Sequence, residues 1–109
     1  MKTTTREYKG YYGNVKETQI EFEDKTLPEG QTRLLEITTM KRSSGDIVTN
    51  ASGYILSGSS KTCVLFQDFS REYARSGKRA TKGNIATLHD SVDVESVVKD
   101  FKEFYELGE

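Results

Sequence analysis

Val94, Val97, Val98, Phe101, Phe104 and Tyr105 fall at i, i+3, i+4, i+7, i+10 and i+11, which puts six apolar side chains on one face of a helix. Nothing earlier in the chain has that period. From Lys2 to about Gln67 the apolar runs are short, Thr, Val, Ile and Tyr are frequent, and Gly, Asn and Ser punctuate them, which is how strands joined by tight turns read. This change of period confines the fold. The first two thirds predict an antiparallel sheet, and the C-terminal segment predicts an amphipathic helix packed on one of its faces, an α+β arrangement.

Within the β-like part, a first pair of strands runs through Tyr8 and Tyr12, turns near Gly13-Asn14 and continues from Thr18 to Glu23. There Ile20 and Phe22 share one face while Glu21 and Glu23 share the other, so one face of the sheet is expected to be wet. Pro28 and Gly30 mark a turn before Thr32–Met40, and Lys41–Asp46 reads as a loop into Ile47-Val48-Thr49. Ser57-Gly58-Ser59-Ser60 would join Tyr54-Ile55-Leu56 to Thr62–Phe66 as another hairpin. Asn84–Leu88 is expected to return as a short strand. The sum is a strongly curved sheet of about five or six strands in one domain, residues 1–109. Asp90, Ser91 and Asp93 offer N-terminal caps for the helix, and Gly108 can close it.

A chain of 109 residues supports one core. With no tryptophan and 30% charged residues that core is modest, and contacts with a partner or a second copy, as in a homodimer, would add burial. The longest uninterrupted apolar run is Val64-Leu65-Phe66, far short of the roughly 20 residues of a membrane span. The polar start, Met1 to Glu7, has no apolar signal region, and the single cysteine, Cys63, agrees with a reducing compartment. Together these predict a cytoplasmic protein without membrane contact.

No motif supplies catalytic chemistry. His89 is the only histidine and sits beside Asp90 and Ser91, whose side chains diverge from it; Cys63, between Thr62 and Val64, reads as a small core residue. One His and one Cys are too few for the usual zinc sites, and Glu21, Glu23 and Asp24 read as a solvated strand face rather than an oxygen site for a metal. Gly53 to Thr62 imitates a phosphate loop, but Ser59 and Ser60 separate Gly58 from Lys61 and no helix start follows. The acids of the terminal segment, Asp93, Glu95, Asp100, Glu103 and Glu106, read as solubilising. The expectation is a non-enzymatic protein with no cofactor.

What the sequence does single out is an uneven distribution of charge. Residues 1–60 sum to zero, 61–89 to plus four and 90–109 to minus five. Most of the excess lies between Arg71 and Gly83, where Arg71, Arg75, Lys78, Arg79 and Lys82 can neutralise phosphates and Gly77 and Gly83 let a backbone approach. Tyr73 is the nearest ring, and Tyr8, Tyr11, Tyr12, Tyr54 and Phe69 are further candidates for stacking on bases. The expected partner is anionic, first a single-stranded nucleic acid and alternatively an acidic groove on a protein for which this chain acts as an inhibitor or accessory subunit. The competing expectation is a solvated, mobile loop whose cations pair with the acidic helix. The order of basic loop, Lys82-Gly83, a strand around Ile85 and a terminal helix is similar to the core of the single-stranded-DNA-binding coactivators; no functional residue is taken from that likeness.

Overall fold

The computed structural model describes residues 2–57 and 63–107, with side chains from Phe69 onward in the last strand. Five strands form one antiparallel sheet in sequence order: β1 (Lys2–Gly10), β2 (Gly13–Phe22), β3 (Gln31–Lys41), β4 (Ile47–Ser57) and β5 (Cys63–Ser76). Two helices follow, α1 (Lys82–Ser91) and α2 (Val94–Phe104). The α+β class and the antiparallel sheet with a C-terminal helix on one face are as expected, and the sheet is open. The expected short strand at 84–88 is instead the middle of α1, and the likeness to the coactivator core, which needed that strand, goes with it. Of the expected basic loop over residues 71–82, residues 71–76 are strand, the end of β5, and residue 82 opens α1.

Helix wins at 82–91 because its start is capped. Thr81 is extended, and its hydroxyl accepts a hydrogen bond from the Asn84 amide at 3.1 Å. Only Ile85 and His89, one helical turn apart, are buried, so the face is too narrow to show its period in sequence. Val92 and Asp93 separate the two helices, and Asp93 caps the second by accepting from the Glu95 amide at 3.1 Å. In α2 the expected apolar face is present, with Val97 and Phe101 fully buried and Val94 and Phe104 exposed.

Both helices lie on one face of the sheet, defined by Ile20 and Phe22 of β2, Leu35 and Ile37 of β3, Ala51 of β4 and Phe69 of β5, which share a core with Val97 and Phe101. Phe101 stacks on Phe22 with ring centroids 5.1 Å apart and meets Phe69 edge-on at 5.7 Å. The Arg33 guanidinium lies 3.9 Å from the centre of the Tyr105 ring, with Asp24 as its ion-pair partner at 2.7 Å. These contacts seat α2 near the end of the sheet that holds the β2–β3 connection. β1 lies outside this cover, and every residue from Lys2 to Lys9 is exposed.

Gly53 allows α2 to come this close. A Cβ there would stand 2.5 Å from the Tyr105 hydroxyl, 2.9 Å from Phe69 Cβ and 3.0 Å from Phe101. Gly53→Ala is therefore expected to destabilise the protein by about 1–3 kcal/mol through overpacking, seen as a lower urea midpoint. Gly77→Ala, where a Cβ meets nothing within 4 Å, should shift that midpoint by no more than about 0.5 kcal/mol equivalent.

Candidate nucleic-acid interface

In a sequential meander, every second turn lies at the same end of the sheet. The β1–β2 turn (Tyr11-Tyr12), the β3–β4 turn (residues 42–46) and the connector from β5 to α1 (residues 77–81) therefore meet at one end, opposite the seat of α2. The two turns use the same device. Gly13 and Gly45 close them at φ +115° and +99°, backbone angles that side chains disfavour. In the second turn Gly45 donates to the Arg42 carbonyl at 2.9 Å and Arg42 to that of Asp46 at 2.8 Å. The first turn falls at Tyr11-Tyr12, just before the expected Gly13-Asn14, because glycine serves here as the closing residue.

The connector is tied to its surroundings by hydrogen bonds. Ser76 Oγ accepts from the Lys78 amide at 3.2 Å, the Thr81 amide donates to the Arg79 carbonyl at 2.8 Å, and the Asn84 side chain donates to that same carbonyl at 2.9 Å. Asn14 on β2 reaches the Ala80 carbonyl at 3.4 Å, tying the connector across the end of the sheet. Between it and the turns lies a groove of about 410 Å³, lined by Tyr12, Lys41, Gly45, Gly77, Lys78, Arg79, Ala80 and Thr81. A second, of about 260 Å³, adjoins it between β1 and α1 and includes Glu7, Tyr8, Lys9 and Lys82.

The electrostatics of this end differ from the rest of the molecule. Lys9, Lys41, Arg42, Lys78, Arg79 and Lys82 are all exposed, and among the described residues none of them forms a salt bridge. Tyr11 is 92% exposed and Tyr12 48%, their rings meeting edge-on at 4.8 Å. An anion arriving here would meet unpaired cations beside accessible rings.

The basic run that dominates the sequence is thus divided by the structure. Arg71 lies 3.5 Å from Asp100 and 5.3 Å from the centre of the Phe69 ring, and the Tyr73 hydroxyl donates to Asp100 at 2.8 Å. Burial, and then that hydrogen bond, push the Tyr73 phenol up to about 12. Arg75 binds Glu72 at 2.7 Å and Asp46 at 3.0 Å. These three side chains help hold β5 to its neighbours, Arg71 and Tyr73 meeting the acidic helix as the competing reading expected. Lys78, Arg79 and Lys82 remain open, and the structure adds Lys41, Arg42 and Lys9 to them. These last three were not legible in the sequence because they sit far from the basic run, in a stretch of zero net charge; the spacing of the Gly-closed turns was the available signal.

The opposite, helix-free face holds a second polar cluster. Glu17, only 3% exposed, accepts from Arg6 at 2.9 Å, Tyr8 at 3.0 Å and Gln19 at 3.1 Å, and the Gln19 amide also donates to Glu36 at 3.0 Å. Burial, and next the Glu17 charge, raise the Glu36 pKa, and burial followed by Glu36 raises that of Tyr54. This is the wet face of the alternation, and its central carboxylates are satisfied by neighbouring strands.

His89 is buried between the helices and the sheet. Its Nε2 lies 2.8 Å from Thr18 Oγ1 and its Nδ1 2.8 Å from Thr39 Oγ1, which is 2.6 Å from Thr49 Oγ1. The Cys63 side chain lies outside the described residues, as do residues 58–62 of the phosphate-loop imitation; the rest of that span, Gly53 to Ser57, is strand. Among the described residues no three His, Cys, Asp or Glu side chains are gathered closely enough to hold a metal ion, and no helix is long and apolar enough to cross a membrane. Comparison with protein-family models, with curated proteins and with solved structures gives no match.

Burial, and next the Lys16 charge, lower the His89 pKa below its ordinary value of 6.5. The unfolded chain therefore binds a proton more readily than the folded one. The stability contributed by the neutral imidazole is complete above pH 6.5 and is lost as pH falls through 6.5 toward the lower folded pKa. Thermal melts followed by circular dichroism should show a midpoint that drops between about pH 7.5 and 5.5, and a smaller drop in His89→Gln.

Proposed function

We propose that this chain is a non-enzymatic binding protein that holds the phosphate backbone of a nucleic acid at the end of the sheet where the three connections meet. The observation that carries the reading is that Lys41, Lys78 and Arg79 line the groove of about 410 Å³ and Lys9 and Lys82 the one of about 260 Å³, with Arg42 in the neighbouring turn, all six exposed and none in a salt bridge within the described residues. Fixed, unpaired positive charge of this kind attracts polyanions by releasing their condensed counterions. The overall charge of minus one does not oppose this, because the acids of α2 lie over the other end of the sheet and Asp100 is already engaged by Arg71 and Tyr73.

The reading is tested by fluorescence anisotropy with labelled oligonucleotides between about 50 and 200 mM salt. Lys78→Glu combined with Arg79→Glu should weaken binding at the lower salt by about tenfold or more and flatten the log–log salt slope by about 1.5, the share of two lost phosphate contacts. Lys41→Gln should act in the same direction, with a slope change of about 0.7–0.9. Arg75→Gln should change affinity by less than about threefold, because that guanidinium is committed to Glu72 and Asp46. Absence of salt-dependent binding by the unmodified protein at about 50 mM salt would overturn the reading.

A further inference from the structure

We infer that the nucleic acid is single-stranded and that Tyr11 and Tyr12, at the tip of the β1–β2 hairpin, stack on its unpaired bases while Lys41, Lys78 and Arg79 hold the adjoining phosphates. This rests on the nucleic-acid reading above and adds the strandedness and the residues that sense it. The starting observation is that two large rings stand in solvent at adjacent positions of a tight turn, one of them 92% exposed. Folding gains little from them there, and many small polar residues would serve the turn as well.

Their setting gives the rings a use. Tyr12 is itself a wall of the basic groove, so a phosphate held at Lys78 or Arg79 leaves its nucleoside beside the hairpin tip. The rings meet edge-on at 4.8 Å and 84°, and an edge-on pair leaves ring faces uncovered. Bases stack on such faces without regard to sequence, but only when they are not already stacked within a duplex.

The remainder of the surface does not suit a duplex. Reading the major groove takes an exposed basic helix or ribbon. The exposed positions of α2 carry Glu95 and Glu103 beside one cation, Lys99, and those of α1 carry Asp90 beside one cation, Lys82, at its first position, so neither helix is a basic one. A groove of about 410 Å³ suits one or two nucleotides rather than a double helix.

The test compares four probes under one buffer: an oligothymidylate of about 15 nucleotides, a duplex of equal length, linear polyphosphate, which carries charge without bases, and polyglutamate, which carries charge without phosphate. The unmodified protein should prefer the oligothymidylate to the duplex by about tenfold or more. Tyr11→Ala combined with Tyr12→Ala should lose that preference, about tenfold in affinity for each ring, while polyphosphate binding and its salt slope stay unchanged. Tyr11→Phe with Tyr12→Phe keeps the rings and should keep the preference; its loss would show that the hydroxyls, not stacking, are responsible and overturn the inference.

Equal affinity for single strand and duplex, or an alanine pair that keeps its single-strand preference, overturns the inference while leaving the phosphate reading intact, provided the Lys78 and Arg79 variants still lose binding. Polyglutamate bound as tightly as oligothymidylate assigns the surface to an acidic protein and overturns both. Failure to bind any of the four probes does so as well.

Discussion

The insertion of one neutral imidazole into the sheet fixes the relation between the helices and the strands. His89 bridges Thr18 of β2 and Thr39 of β3, and the chain of hydroxyls continues to Thr5 of β1 at 3.2 Å and to Thr49 of β4 at 2.6 Å. A neutral ring donates from one nitrogen and accepts at the other, and each hydroxyl can do either, so the buried members of the row, Thr18, His89, Thr39 and Thr49, are all satisfied, with Thr5 at its exposed end. With Ile85 beside it, this bond network seats α1 on the sheet. The start of α1 then determines where residues 77–81 cross the end of the sheet. The basic groove is a consequence of that crossing.

The same geometry separates structural charge from available charge. Arg71 and Arg75 lie within β5, where the packing of α2 brings Asp100 to Arg71, and the strand's own Glu72 and the neighbouring Asp46 meet Arg75. Exposed pairs of this kind contribute little stability, but they do remove those cations from any competition for an outside anion. Lys78, Arg79 and Lys82 follow the strand, beyond the reach of those carboxylates. Because alternate turns of a meander share an end, Lys41, Arg42 and Lys9 join them without any proximity in sequence.

Much of the sheet and all of the final helix were legible. Alternation in Thr18–Glu23 placed Ile20 and Phe22 on the covered face, and the apolar spacing from Val94 gave α2 and its two anchors, Val97 and Phe101. Helix α1 was illegible because its buried face consists of Ile85 and His89 alone, and because Ala86, Thr87 and Leu88 between them mimic poor strand alternation. The candidate site was visible in part. Local charge density pointed to Lys78, Arg79 and Lys82, but equally to Arg71 and Arg75, and nearness to the run pointed to Tyr73; the partners of these three become visible only once the chain is folded. The exposed tyrosines were countable as rings, yet only the turn geometry sets Tyr12 in the groove wall. Glu17 and Glu36 escaped notice for a related reason: their junction through Gln19 depends on strand register, which short-range pattern does not specify.

In the proposed function, ligand contact falls at one end of the sheet, and the helix-free face and the α2 layer have structural roles. The most direct measurement is an amide chemical-shift titration of the isotopically labelled protein with a short oligothymidylate. Shifts in fast or intermediate exchange are expected to concentrate at Tyr11, Tyr12, Lys41, Gly45 and residues 77–82, with Glu17, Glu36 and the α2 amides unmoved. Shifts centred on the Glu17–Gln19–Glu36 cluster or along α2, with the turn end unchanged, would contradict the proposed function.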